Sequence, residues 1–167
     1  MLLNLLLIRH AKSSWANPNL SDFDRPLNKR GKHNAPLMGK RINGYEMQID
    51  TIISSPARRA KETAKIIAKE VGFFEKNINY ETGLYHASLD IFIKVLSDQK
   101  KENLVMVGHN PGIQEFSYWL CSEPRINFPT CGAILISFNL QEWSELNKYC
   151  GTIRSFEYPK MFYEENI

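Results

Sequence analysis

Three short apolar runs each end at residues that favour phosphate. Leu5-Leu6-Leu7-Ile8 leads into Arg9-His10, and Thr51-Ile52-Ile53 leads into Ser54-Ser55-Pro56 with Arg58-Arg59 just behind. Leu104-Val105-Met106-Val107 leads into Gly108-His109-Asn110-Pro111. A short run with no polar face reads as a strand buried on both sides, as in an α/β sheet. In such sheets ligands gather outside the carboxyl ends of the strands. The three runs therefore predict one basic, partly desolvated pocket that draws two histidines and at least two arginines from distant stretches.

The segments between these runs supply helices. Residues 28–45 carry Ala35, Met38, Ile42 and Tyr45 at helical spacing, although Pro36 and Gly39 argue that the regular part starts near Asn34 or Ala35. Ala60, Ala64, Ile67, Ala68 and Val71 mark one face of a helix that stops at Gly72. Residues 78–81 read as a short strand, and Ser88 as the cap of a helix running to Ser97. A further helix starts at Pro111 with Asn110 as its cap. Strands at 133–138 and 152–158 close the pattern with no helix between them, so the sheet needs an antiparallel edge. Strands alternating with helices elsewhere predict a three-layer α/β/α sandwich with a mostly parallel central sheet. Residues 11–27, polar and rich in Asp and Pro, form a long loop of the kind that often carries function.

The 167 residues read as a single domain, with 159–167 as a frayed tail. A net charge of +3 without a dense basic run fits local basic pockets, and no nucleic-acid partner is expected. The apolar N-terminus is cut short by Arg9 and lacks a basic leader and cleavage site, so it reads as a first strand, with no membrane partner. Cys121, Cys131 and Cys150 show no paired spacing and read as reduced, buried thiols of a cytoplasmic protein. Trp15, Trp119 and Trp143 are assigned to core packing.

Each cluster has a bland reading when taken alone. Arg9-His10 can be a strand-end pair held by local hydrogen bonds, Arg58-Arg59 a solvated basic face, and His109 a satisfied residue in a helix-entry turn. Arginines in the first turn of a helix work against its dipole unless an anion shares the site. Zinc spacing, a Gly-x-Ser-x-Gly elbow and a P-loop are all missing from the sequence.

Taken together and in order, four stretches carry a resemblance. They are Arg9-His10-Ala11-Lys12-Ser13-Ser14-Trp15, Asp24-Arg25-Pro26-Leu27-Asn28-Lys29-Arg30-Gly31, Ser54-Ser55-Pro56-Ala57-Arg58-Arg59-Ala60 with Thr63, and Val107-Gly108-His109-Asn110-Pro111-Gly112. The chain resembles the histidine phosphatase superfamily, which also holds the cofactor-dependent phosphoglycerate mutases. Within it the nearest branch is the SixA-type phosphohistidine phosphatases. The resemblance implies a phosphoglycerate mutase-like fold with His10 as nucleophile and Arg9, Arg59 and His109 on the phosphoryl oxygens. Arg59 matches better than Arg58 because it stands three places after Pro56 and directly before Ala60. Ser13 and Asn110 join them as phosphate- or substrate-binding candidates. Ala11 stands where much of the superfamily has Gly. The proton donor of the larger branches has no clear counterpart, and Glu81 is the nearest candidate beside a plain reading as an exposed strand-end carboxylate.

The expected chemistry is phosphoryl transfer through a phosphohistidine, with no metal or cofactor. His10 must be neutral to attack, and flanking cations favour that form. Those cations also stabilise the transition state, and His109 would serve best protonated. A weak acid suits an imidazole leaving group, with a free pKa of about 6.5, better than a serine alkoxide. The expected substrate is therefore phosphohistidine in a protein partner, acted on by a monomer. The alternatives are a small-molecule phosphomonoesterase and a non-catalytic phosphate-binding module.

Overall fold

The computed structural model describes residues 2–123 and 127–163. In chain order it forms β1 (Leu3–Arg9), α1 (Lys29–Asn43), β2 (Thr51–Ser54), α2 (Arg58–Val71), β3 (Asn79–Tyr80) and α3 (Leu89–Ser97). There follow β4 (Asn103–Gly108), α4 (Gly112–Cys121), β5 (Ala133–Phe138) and β6 (Gly151–Glu157). The strands make one sheet in the order β3-β2-β4-β1-β5-β6. The first four in that order run parallel. β5 pairs antiparallel with both neighbours, so the reversed strand lies one place in from the edge.

β1 shows why its sequence is apolar throughout. Successive side chains point to opposite faces of a sheet. Leu3, Leu5 and Leu7 enter a core built with α3 and α4, including Phe92, Leu96, Phe116 and Leu120. Leu6 and Ile8 enter a second core with Ala35, Met38, Ala60, Ala64 and Ile67 from α1 and α2. Both faces are therefore covered, which makes three layers. Each fully buried Leu or Ile contributes about 1.5–3 kcal/mol relative to exposure. Among the described residues no helix is long and apolar enough to cross a membrane.

Several expectations need correction. α1 is regular from Lys29, not from Asn34 or Ala35, because the Asn28 side chain accepts from Gly31 N–H at 2.8 Å and caps it. Pro36 sits inside the helix and removes the amide that would bond the Lys32 carbonyl; Lys32 is exposed, so solvent can take that place. α4 starts at Gly112, and Asn110 is not its cap: its Oδ1 has no hydrogen-bond partner among the described residues, and its Nδ2 donates to the Phe128 carbonyl at 3.0 Å. Pro159–Phe162, placed in the frayed tail, forms a 3-10 turn whose Phe162 is buried against the second core. Residues 164–167 of that tail lie outside the described residues. Trp143 is buried and Trp119 half-buried, but Trp15 is 74% exposed and belongs to no core.

Candidate active site

Strand register builds the site. Ile8 of β1 and Ser54 of β2 both pair with Val107 of β4, so one row crosses the three adjacent parallel strands. One residue further on, Arg9 pairs with Gly108, and the Ser55 amide donates to the Val107 carbonyl at 3.0 Å. One step beyond that come His10 and His109, whose ring centroids are 5.0 Å apart. The three sequence clusters thus meet at the carboxyl edge, where the chain leaves each strand.

His10 is 7% exposed, and its Nδ1 lies 2.8 Å from the Ala11 carbonyl oxygen. A carbonyl only accepts, so the proton is on Nδ1 and the Nε2 lone pair is free of it. Burial drives the His10 pKa down to about 3, with His109, Arg59 and Arg9 adding to the effect against the Ala11 hydrogen bond. The imidazole is therefore neutral near pH 7. Ala11 N–H is held by Thr63 Oγ1 at 3.0 Å, and Thr63 donates to the Arg59 carbonyl at 2.7 Å. One buried threonine thus locks the turn after β1 to the first turn of α2.

His109 places Nε2 at 2.7 Å from Ser55 Oγ. Ser55 Oγ accepts from Ala57 N–H at 3.2 Å, and among the described hydrogen bonds its other partner, His109 Nε2, is the acceptor left for its own proton. That leaves the His109 proton on Nδ1, a buried atom with no hydrogen-bond partner among the described residues. Burial and then Arg59 push the His109 pKa down to about 3, so this ring too is neutral in the free protein. Arg9 donates from NH1 to the Phe128 carbonyl at 2.9 Å, and its Nε is likewise buried without a partner. Two N–H donors on His109 and Arg9 are therefore unpaired, a costly state unless a ligand is to be bound.

Arg59 is buried and held by one residue that sequence reasoning did not nominate. Its NH1 donates to the Asp22 carbonyl at 2.7 Å and its NH2 to Asp22 Oδ2 at 3.1 Å. Asp22 Oδ2 also accepts from Tyr85 Oη at 2.6 Å, and Oδ1 accepts from Arg25 NH1 at 2.9 Å. Burial alone would raise this carboxyl's pKa, but the Tyr85 hydroxyl, Arg59 and Arg25 together hold it well below the usual carboxylate range. Arg25 is itself buried; it donates to Ser13 Oγ and to the Ser14 carbonyl, and its guanidinium lies 3.3 Å from the centroid of the Trp15 ring. The loop 10–28 therefore folds back over the strand ends. The signal available in the sequence was its Asp- and Pro-rich composition, which marks a functional loop without naming its contacts.

The other candidates fare unevenly. Ser13 is buried and its hydroxyl oxygen accepts from Arg25 NH2. Asn110 stands beside Arg9, since both donate to the Phe128 carbonyl. Glu81 is exposed, and its carboxylate accepts from Gly83 N–H at 3.4 Å. Among the described residues no hydrogen bond or ion pair joins Glu81 to His10, Arg9, Arg59 or His109. No three His, Cys, Asp or Glu side chains among the described residues converge as metal ligands.

A mixed α/β sheet with a histidine pair and buried arginines at its carboxyl edge defines a class, and the comparisons give its family. The chain belongs to the histidine phosphatase superfamily (branch 1), whose family model matches residues 5–92. It is 32% identical over 151 residues to an uncharacterized chloroplastic protein of Arabidopsis thaliana, covering 84% of this chain and 69% of that protein. It shares its fold with a protein of Agrobacterium tumefaciens described as the "putative phosphohistidine phosphatase SixA", with a TM-score of 0.81 at 24% identity over 94% of this chain and 98% of the other. A protein histidine phosphatase SixA complexed with tungstate gives the same TM-score of 0.81 at 18% identity, covering 96% and 99% of the two chains.

Proposed function

We propose that this protein is a phosphatase that carries the phosphoryl group on His10 and takes it from phosphohistidine in a protein partner. The observation that carries the reading is the neutral His10 ring, with its proton tied to Ala11 and its Nε2 uncommitted beside two unpaired donors. Membership of the superfamily supports phosphatase chemistry, and the SixA-like fold supports the substrate.

In the first step the Nε2 lone pair of His10 forms a bond to phosphorus. The substrate P–N bond breaks, and its electron pair stays on the leaving nitrogen. Arg9, Arg59 and the Nδ1–H of His109 take the equatorial oxygens, where fixed donors contribute most in a transition state of this kind. In the second step water adds its oxygen to phosphorus, the P–N pair returns to Nε2, and dihydrogen phosphate leaves with both hydrogens of the water. Throughout, the His10 proton stays on Nδ1.

An imidazole substrate makes the first step an exchange between two chemically similar nitrogens. Its departure needs no strong acid, which agrees with the engagement of Glu81 by Gly83. A serine ester would leave as a basic alkoxide and would need one. Action as a cytoplasmic monomer belongs to the same proposal.

The test is intact-mass detection of a phosphoryl adduct during turnover of a phosphohistidine peptide. The adduct is expected in the wild type and not in His10→Ala. Faster turnover of a phosphoserine peptide or a sugar phosphate would replace the substrate assignment with a phosphomonoesterase. No adduct and no hydrolysis would leave a phosphate-binding module.

A further inference from the structure

We infer that Asp22 is the specificity residue of this site, an ionised acceptor for the far N–H of a phosphoramidate leaving group. The inference rests on the reading of the site as a phosphohistidine phosphatase and adds how that site tells an N–P bond from an O–P bond.

A carboxylate inside an anion-binding site is at first sight misplaced, because it repels phosphate. Here it is deliberately held: Arg59, Arg25 and Tyr85 all donate to it. Those three hydrogen bonds use three of its roughly four acceptor sites and leave one on Oδ1. The Asp22 side chain is 40% exposed, so that remaining site is open to an incoming group. The donors also keep Asp22 ionised, which disqualifies it as a proton donor to an alkoxide. What an ionised carboxylate does well is accept a charge-assisted hydrogen bond.

The chemistry of the exchange shows what is missing without it. When phosphorus moves between two imidazoles, each ring is best served by a proton on its far nitrogen and an acceptor for that proton. His10 has its acceptor in the Ala11 carbonyl at 2.8 Å. The leaving ring needs a second one on the outer side of the site. Asp22 borders the site through Tyr85, which is edge-on to His109 at 5.7 Å and donates its hydroxyl to Asp22 at 2.6 Å; His109 in turn is 5.0 Å from His10. Phe23, Tyr85 and His86 stand together around the same carboxylate, with Phe23 edge-on to Tyr85 at 5.1 Å and His86 4.0 Å from it. His86 Nε2 is 3.8 Å from Asp22 Oδ2, so an imidazole nitrogen already stands near this carboxylate. Aromatic rings beside an ionised carboxylate suit a flat, N–H-bearing leaving group.

The balance of the step is simple. The substrate ring enters phosphorylated on one nitrogen and protonated on the other. The P–N bond breaks with its electron pair left on the ring, which departs as neutral imidazole with its N–H still bonded to Asp22. Asp22 neither gains nor loses a proton. An ester has no such N–H and meets only the repulsion.

The test compares two substrates in two proteins. Asp22→Asn is expected to lower kcat/KM for a phosphohistidine peptide by about 10-fold or more, the scale of a charged hydrogen bond. For p-nitrophenyl phosphate, whose leaving group needs neither a proton nor an N–H acceptor, the loss is expected to be smaller, so that the ratio of the two kcat/KM values falls by about 10-fold. An equal loss on both substrates would show that Asp22 only props Arg59, and an equal gain that it only plugs the site; either overturns the inference. Wild-type protein that hydrolyses neither substrate removes the phosphatase reading and this inference with it, whereas an unchanged substrate ratio in Asp22→Asn removes the inference alone. Should Asp22→Asn fail to fold, inhibition of the wild type by two phosphonate ring analogues decides. A phosphonopyrazole with a ring N–H should bind about 10-fold tighter than a phosphonotriazole without one, and equal affinities would overturn the inference.

Discussion

The Ala11 carbonyl oxygen lies 2.8 Å from His10 Nδ1 and decides which nitrogen of that ring carries the proton. The two residues are neighbours in sequence, so the arrangement is local. Its effect is not, because burial of the ring, with His109, Arg59 and Arg9 close by, is what keeps it neutral. Together they leave an imidazole whose Nε2 lone pair needs no deprotonation near neutral pH, as the proposed nucleophile requires.

The depressed His10 pKa makes stability depend on acid. The unfolded ring takes a proton below its ordinary pKa of 6.5, whereas the folded ring stays neutral down to about 3. Between these values the unfolded state binds more protons, so stability falls as pH falls, by up to ~1.4 kcal/mol per pH unit for one such group. Urea unfolding from pH 7 to pH 4 is expected to show a shallower acid loss in His10→Asn than in the wild type. An identical slope in both proteins would contradict a neutral buried ring.

Ser55 orients His109. Ser55→Ala removes the hydroxyl that offers its proton to Nε2 and frees the ring to hold its own proton on either nitrogen. The expected result is a kcat lowered by about 10-fold with a smaller change in KM, the cost of a lost buried hydrogen bond. Nitrogen NMR of the His109 ring should change from the Nδ1–H form to a mixture. A fall in KM-related affinity with unchanged kcat would assign Ser55 to substrate binding instead.

Arg9 offers an unpaired Nε–H beside an NH1 already spent on Phe128. Arg9→Lys keeps the charge but not the planar fork. Steady-state kinetics should show kcat/KM lower by about 10²–10³-fold, as for loss of one donor at a charge-stabilising site. Thermal unfolding should move little, and a full-activity lysine variant would show that charge alone suffices.

Gly31 lies where α1 meets the turn after β1, and a Cβ there would overlap the Lys12 carbonyl oxygen. The neighbour is backbone and cannot swing aside. Gly31→Ala is therefore expected to cost about 1–3 kcal/mol, the usual range for overpacking. Calorimetry should show a midpoint lower by roughly 2–4 °C per kcal/mol. An unchanged midpoint would mean the loop 10–28 is not tightly seated on α1.

Much of this protein was legible in its sequence because burial on two faces leaves a plain mark. Leu5 to Ile8 had to be a covered strand, and Arg9-His10 had to emerge at its end. The same logic put Ser54-Ser55, Arg58-Arg59 and His109 just beyond strand ends, while the choice of Arg59 over Arg58 came from the family resemblance; the capping glycine at Gly72 closed α2 as expected, with φ of 73°. Helix starts were less legible. At Asn28 a single side-chain hydrogen bond outweighed the signal of Pro36, and at Asn110 the side chain turned to Phe128 instead of capping α4.

What the sequence determined by itself is the set of strands, their neighbouring helices and the chemical type of the residues at each strand end, since these follow from local periodicity. Tertiary structure decided the strand order that puts β1, β2 and β4 side by side, and the register that brings His10 and His109 to 5.0 Å. It alone joined Asp22 to Arg59 and Tyr85, which lie 37 and 63 positions away. Contacts of that span depend on how a long loop closes over the sheet, and no local pattern records the partner an exposed aspartate will meet.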